Sequence, residues 1–154
     1  PYLFEINEKG IKAKYLFDFE ENWIDDKIIY GNYKDGMSFL KEINDNNYVS
    51  FVNATVGSNF ISINYYKNDK NYSCLFDVNT KLTYNINDFE NSICLKNRFE
   101  YYSNGYFISV LDPVILSESF KKGNLKNNLI SEEFLSNVSD FDNPILMLTK
   151  FKIN

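Results

Sequence analysis

Apolar residues recur along this chain in short runs, each cut by turn-forming residues. Tyr2-Leu-Phe-Glu-Ile6 is the first run, and Asn7-Glu-Lys-Gly10 closes it as a hairpin-type turn ending in glycine. From Ile11 to Phe19 the apolar Ile11, Ala13, Tyr15, Phe17 and Phe19 alternate with Lys12, Lys14, Leu16 and Asp18. A period of two sends successive side chains to opposite faces, so this stretch predicts a strand with one apolar face. Glu20 to Asp26 is polar around Trp23 and Ile24 and predicts a surface crossing anchored by one aromatic ring. Asp35-Gly36 precedes Met37, Phe39, Leu40 and Ile43, a spacing that suits one or two helical turns.

Three strands are then expected in quick succession, at Tyr48–Ala54, Phe60–Tyr66 and Tyr72–Val78, with a short fourth at Leu82–Ile86. Gly57-Ser58-Asn59, Lys67 to Asn71 and Asn79-Thr80-Lys81 supply the turns between them. Four strands joined by tight turns predict an antiparallel meander, the unit of a propeller blade. The signals then repeat. Arg98–Tyr102 and Tyr106–Leu111 flank the turn Ser103-Asn104-Gly105. Asp112-Pro113 reads as a helix start, Asp as N-cap and Pro at the first helical position, with the helix ending by Gly123. Ser131 to Leu135 gives a second helical turn, and Ile145–Ile153 a closing strand after the break at Pro144. No low-complexity linker divides the 154 residues, so one folding unit without an internal boundary is expected.

Composition agrees with strand. Aromatic residues make up 18% of the chain, with 12 Tyr and 14 Phe, and aromatics favour half-buried pleated surfaces. Asn occurs 23 times, which suits turns and carries no functional weight by itself. The net charge of -5, with Arg98 as the only arginine and Lys121-Lys122 as the only basic doublet, argues against a nucleic-acid partner; such surfaces cluster Lys and Arg. No apolar run approaches the roughly 20 residues that span a bilayer. The chain opens at Pro1 without Met, so a processed or truncated chain is expected.

Candidate chemistry is sparse. The chain has no His, which removes Ser-His-Asp catalysis, and neither a G-x-S-x-G nor a Walker pattern occurs. Cys74 and Cys94 sit in apolar runs and read as buried free thiols rather than metal ligands. The sequons at Asn53, Asn71 and Asn137 are no more than an Asn-rich chain produces by chance. The carboxylate pairs Glu20-Glu21, Asp25-Asp26 and Glu132-Glu133 are adjacent in sequence, and neighbours on a strand face opposite ways, so they read as loop or cap charges. Asp140-Phe-Asp142-Asn143 and Asn44-Asp-Asn-Asn47 are oxygen-rich, yet lack the glycine and distal Glu of a calcium loop. Both read as plain turns. No catalytic residue, metal ligand or cofactor is therefore assigned, and no ligand-binding residue is fixed. Tyr65-Tyr66, Tyr101-Tyr102 and Tyr106 remain as groove candidates, since Tyr offers an apolar body and a hydrogen-bonding tip.

Four strings in order carry a resemblance. They are Tyr2–Ile6 with Gly10–Phe19, Phe60–Lys81, Asn104–Pro113 leading into a helix, and the terminal Asp142–Lys152. Together they resemble the C-terminal portion of a family of extracytoplasmic six-bladed, TolB-like β-propeller proteins, often lipoproteins, of certain Gram-negative bacteria. Asp25-Asp26 departs from the family pattern, where a proline stands. The resemblance implies an all-β partial propeller of about two and a half blades over residues 1–154, with antiparallel four-stranded meanders and short helical inserts. It implies a binding or scaffold module of the cell envelope, in the periplasm or at the cell surface, lipid-anchored in the full-length protein. Its ligand would be an unknown small molecule, glycan or protein. The rival expectation is a propeller hydrolase or lyase whose catalytic residues lie on blades absent from this chain. The open strand edges call for missing N-terminal blades or a second chain to cover them.

Overall fold

The computed structural model describes residues 2–86, 99–121, 131–139 and 143–152. Among the described residues strand predominates over helix. The element order is β1 (Tyr2–Asn7), β2 (Gly10–Leu16), a 3-10 turn (Glu20–Asn22), α1 (Asp26–Ile29), α2 (Gly36–Asp45), β3 (Ser50–Val56), β4 (Phe60–Lys67), β5 (Lys70–Asp77) and β6 (Thr83–Asn85). After these come β7 (Tyr101–Ser103), β8 (Tyr106–Leu111), α3 (Pro113–Lys121), α4 (Glu132–Asn137) and β9 (Ile145–Thr149). Three sheets result, ordered β1-β2, β3-β4-β5-β6 and β7-β8-β9. The middle one is the expected four-stranded meander, with every neighbour in sequence a neighbour in space.

Turn chemistry explains the hairpins. Asn68 and Asp69 both take positive φ (53° and 56°), and so do Asn104 and Gly105 (50° and 84°). Two positive-φ residues between paired strands make a type I′ turn, whose twist matches that of the strands it joins. Helix starts follow the capping rule. Asp35 Oδ1 accepts from Ser38 N at 2.8 Å, Asp112 Oδ1 from Val114 N at 2.8 Å, and Ser131 Oγ from Phe134 N at 3.1 Å.

Several expectations need correcting. The strand expected to Phe19 ends at Leu16, and a bulge intervenes: Leu3 pairs with Tyr15 but Phe4 with Ala13. The bulge switches faces, so the alternation from Ile11 to Phe19 does not build one apolar wall. Ile11 is 71% exposed, while Tyr15, Phe17 and Phe19 are half-buried. The polar crossing after it holds a 3-10 turn at Glu20–Asn22, and α1 follows. Asp25 caps α1 through Ile28 N at 3.0 Å. Asp26 occupies the first helical position, where a proline also fits, so the departure from the family pattern leaves the local fold intact. β9 stops at Thr149, because Phe151 turns into the core beside Phe60, Phe99 and Phe107. The expected strand at Arg98–Tyr102 is confined to Tyr101–Ser103, and Arg98 lies outside the described residues.

The chain divides into two compact units, residues 1–51 with 66–70, and residues 52–65 with 71–154. In the first, Ile43 and Val49 are buried, Phe19 stacks on Trp23 with ring centroids 6.0 Å apart, and Tyr33 meets Phe39 edge-on at 5.2 Å. Trp23 pairs through its backbone in a parallel bridge with Val49, while its side chain stays 38% exposed. In the second, Leu75, Ile86, Phe99 and Phe107 form the core, with Phe60, Tyr102, Met147 and Phe151 packed on it.

Candidate functional site

In the second unit, several strand ends and turns converge. Gly57 N donates to Phe60 O at 2.8 Å across the Ser58-Asn59 loop, and Val78 N donates to Asn59 O at 2.8 Å, tying in the β5–β6 turn. Tyr102 reaches the same loop, its hydroxyl donating to Ser58 Oγ at 2.9 Å. Gly57 leaves room for this. A Cβ there would stand 2.8 Å from ring atoms of both Phe107 and Tyr102. Thr149 pairs with Phe107, so Lys150 follows at this same end, with Nζ 5.9 Å from the centre of the Tyr106 ring. Tyr102, Tyr106, Ser58 and Lys150 thus share one polar rim.

The rim's phenol is electrostatically perturbed. The hydrogen bond with Ser58, and more weakly the Lys150 charge, hold the Tyr102 phenol below its usual range. Asp77 frames the neighbouring turn. Burial pushes its carboxyl up, but the Asn79 and Thr80 contacts outweigh this and hold it low. It is committed to structure, with Oδ1 accepting from two backbone N–H groups.

The other sequence candidates separate. Tyr65 stacks on Tyr72 with centroids 5.3 Å apart and an interplanar angle of 11°. Burial, then the neighbouring Cys74 and Tyr72, push its phenol up. Tyr66 points the other way, 46% exposed and edge-on to Phe51. Tyr101 is 62% exposed. Of the five tyrosines the structure gathers only Tyr102 and Tyr106 at the rim. Cys74 is half-buried, and burial raises its thiol to about 11, which leaves it protonated and unreactive at neutral pH. Cys94, Lys122, Asp140 and Asp142 lie outside the described residues.

The oxygen-rich loop at Asn44–Asn47 is spent on structure in the first unit. Asn44 Nδ2 donates to Asp69 Oδ1 at 2.7 Å, Asn68 Nδ2 to Asn47 Oδ1 at 2.5 Å, and Asn46 Nδ2 to Glu42 O at 3.0 Å. These bonds clasp the end of α2 to the β4–β5 turn. Among the described residues no three His, Cys, Asp or Glu side chains are grouped to hold a metal ion, and no helix is long and apolar enough to cross a membrane. What sequence reasoning missed was the partner of Tyr102 and the reach of Lys150, both set by strand register that no local pattern encodes.

Sequential antiparallel meanders packed face to face define a β-propeller. The chain belongs to the DUF5128 family, a 6-bladed beta-propeller family whose model matches residues 1–108. It is also similar in fold to the crystal structure of a protein from Bacteroides fragilis described as exported, with a TM-score of 0.71 over 97% of this chain at 22% identity. The chain spans 44% of that protein, less than half its length. No curated protein matches it.

Proposed function

We propose that this chain is part of a non-catalytic binding or scaffold propeller of the cell envelope, and that the Ser58–Tyr102–Tyr106–Lys150 rim is its ligand surface. The carrying observation is that rim: an ammonium over an aromatic face beside two bonded hydroxyls, with the buried Asp77 carboxylate already accepting from two backbone donors. Such a surface suits ligands rich in hydroxyl or carboxylate groups. The carboxylates at Asp25, Asp35 and Asp112 serve as helix caps, which supports recognition over acid–base chemistry. The exported relative and the family resemblance support a place outside the cytoplasm, with a lipid anchor on the full-length protein.

Two sheets carry uncovered apolar faces. On β1–β2, Tyr2, Phe4, Ile6, Ile11 and Leu16 are 54–75% exposed, and on β7–β9, Tyr101, Leu146 and Leu148 are 58–64% exposed. Further blades of a six-bladed ring are the covering partner this reading assigns to them. The test is a titration of the full-length protein with neutral and uronic-acid oligosaccharides, followed by NMR shifts. Shifts at Tyr102, Tyr106 and Lys150 that vanish in Lys150→Ala are expected. Turnover of a sugar or ester substrate, or shifts confined elsewhere, would overturn the reading.

A further inference from the structure

Three buried side-chain atoms lack a hydrogen-bond partner among the described residues: Ser62 Oγ, Asn64 Nδ2 and Ser109 Oγ. Ser62 and Ser109 are fully buried, and Asn64 is 5% exposed. A buried donor or acceptor left unmet forfeits its hydration without return, and native interiors contain few such groups. Three such groups ask for a shared partner, if the strands bring them together.

Their placement follows from register. Phe60, Ser62 and Asn64 lie on one face of β4, and Phe107, Ser109 and Leu111 on one face of β8, because strand side chains alternate. Two contacts align these faces. Gly57, bonded to Phe60, lies against the Phe107 ring. One step further in, Thr55 Oγ1 donates to Phe99 O at 2.5 Å. Phe99 adjoins the middle of β8, beyond Phe107, since Glu100 N donates to Ile108 O at 2.9 Å. Counting from the Gly57–Phe60 bond sets Thr55 opposite Ser62. Moving from Gly57 to Thr55 on one sheet therefore corresponds to moving from Phe107 towards Ser109 on the other. Ser62 and Ser109 face each other at one level, and Asn64 follows two residues along.

The chemistry then selects the occupant. Ser73 Oγ bonds the Asn64 side-chain oxygen at 2.6 Å, so whichever way the amide is turned one arm of it is left unmet. We infer that an internal water is bound between β4 and β8, accepting from Asn64 Nδ2 and from one serine hydroxyl and donating to the other. Three bonds are the usual complement of a buried water. The water completes the packing of two successive sheets, so Ser62 and Ser109 are joined energetically without touching.

The test uses the full-length protein with Ser62→Ala, Ser109→Ala and the double variant, changes small enough to preserve the fold. Each single variant is expected to lower the folding equilibrium constant about tenfold. The double variant should lose less than the product, because either change alone disrupts the shared water. Magnetisation transfer from a long-lived water to the Ser109 amide proton is expected in the parent and absent from Ser109→Ala. Neutral or stabilising single variants that combine additively, with no long-lived water, would overturn the inference and show two hydroxyls bonded to their own strand carbonyls.

Discussion

Gly57 shows how one residue can set an inter-sheet distance. Its backbone φ is not positive, so flexibility is not why it is there. The Phe107 and Tyr102 rings press to within 2.8 Å of where a Cβ would stand. Gly57→Ala should destabilise the protein by about 1–3 kcal/mol through overpacking, read as a lower denaturation midpoint at unchanged m-value. An unchanged midpoint would mean the rings move aside freely. At this scale the sequence is legible only in part. The abundance of Asn pointed to turns, and Asn47, Asn68 and Asn104 do take left-handed backbone. Phe51 and Lys81 take positive φ as well, which no propensity anticipates because tertiary context imposes it.

Elements with a chemical start signal could be placed from sequence, and those shaped by pairing could not. Asp35-Gly36 and Asp112-Pro113 marked α2 and α3 to within a residue or two, because an N-cap is local chemistry. The β2 bulge was invisible, since it depends on which residue of β1 lies opposite. The α2 cap has a measurable pH signature. Hydrogen bonds from Ser38 hold the Asp35 carboxyl below its ordinary 3.8. A carboxyl lowered in the folded state adds stability at higher pH and loses it as pH falls through 3.8 towards the folded value. Asp35→Asn, which keeps a capping acceptor, should flatten that acid limb while leaving stability near neutrality almost unchanged. Parallel acid limbs in the two proteins would show that the cap charge is not coupled to folding.

At the scale of the molecule, the spacing of turns revealed the blade, and the resemblance revealed the ring to which it belongs. What no pattern showed is which faces stay bare. Alternation marks a face as apolar without saying whether anything lies against it, so β1–β2 reads as a strand pair with an apolar face, and Ile6 on it is 75% exposed. The 154-residue chain alone should therefore self-associate at micromolar concentration and bind a hydrophobic dye. Replacing Leu146 and Leu148 with Lys should reduce both signals. A dye-silent, monodisperse parent chain would count against coverage of these faces by further blades.

The ladder between β8 and β9 spans a gap in sequence from Leu111 to Ile145, whereas the other ladders join strands linked by short turns. Its consequence is an order of events. Hairpins close on the microsecond scale, while a strand returning over more than thirty residues must first overcome loop-closure entropy. The closing strand then docks last, after the transition state for folding. Met147→Ala, which trims a side chain packed on the core, should speed unfolding and leave the folding rate nearly unchanged in stopped-flow chevrons. A slower folding arm would instead place β9 in the nucleus, and assembly of the last sheet would begin from its C-terminal edge.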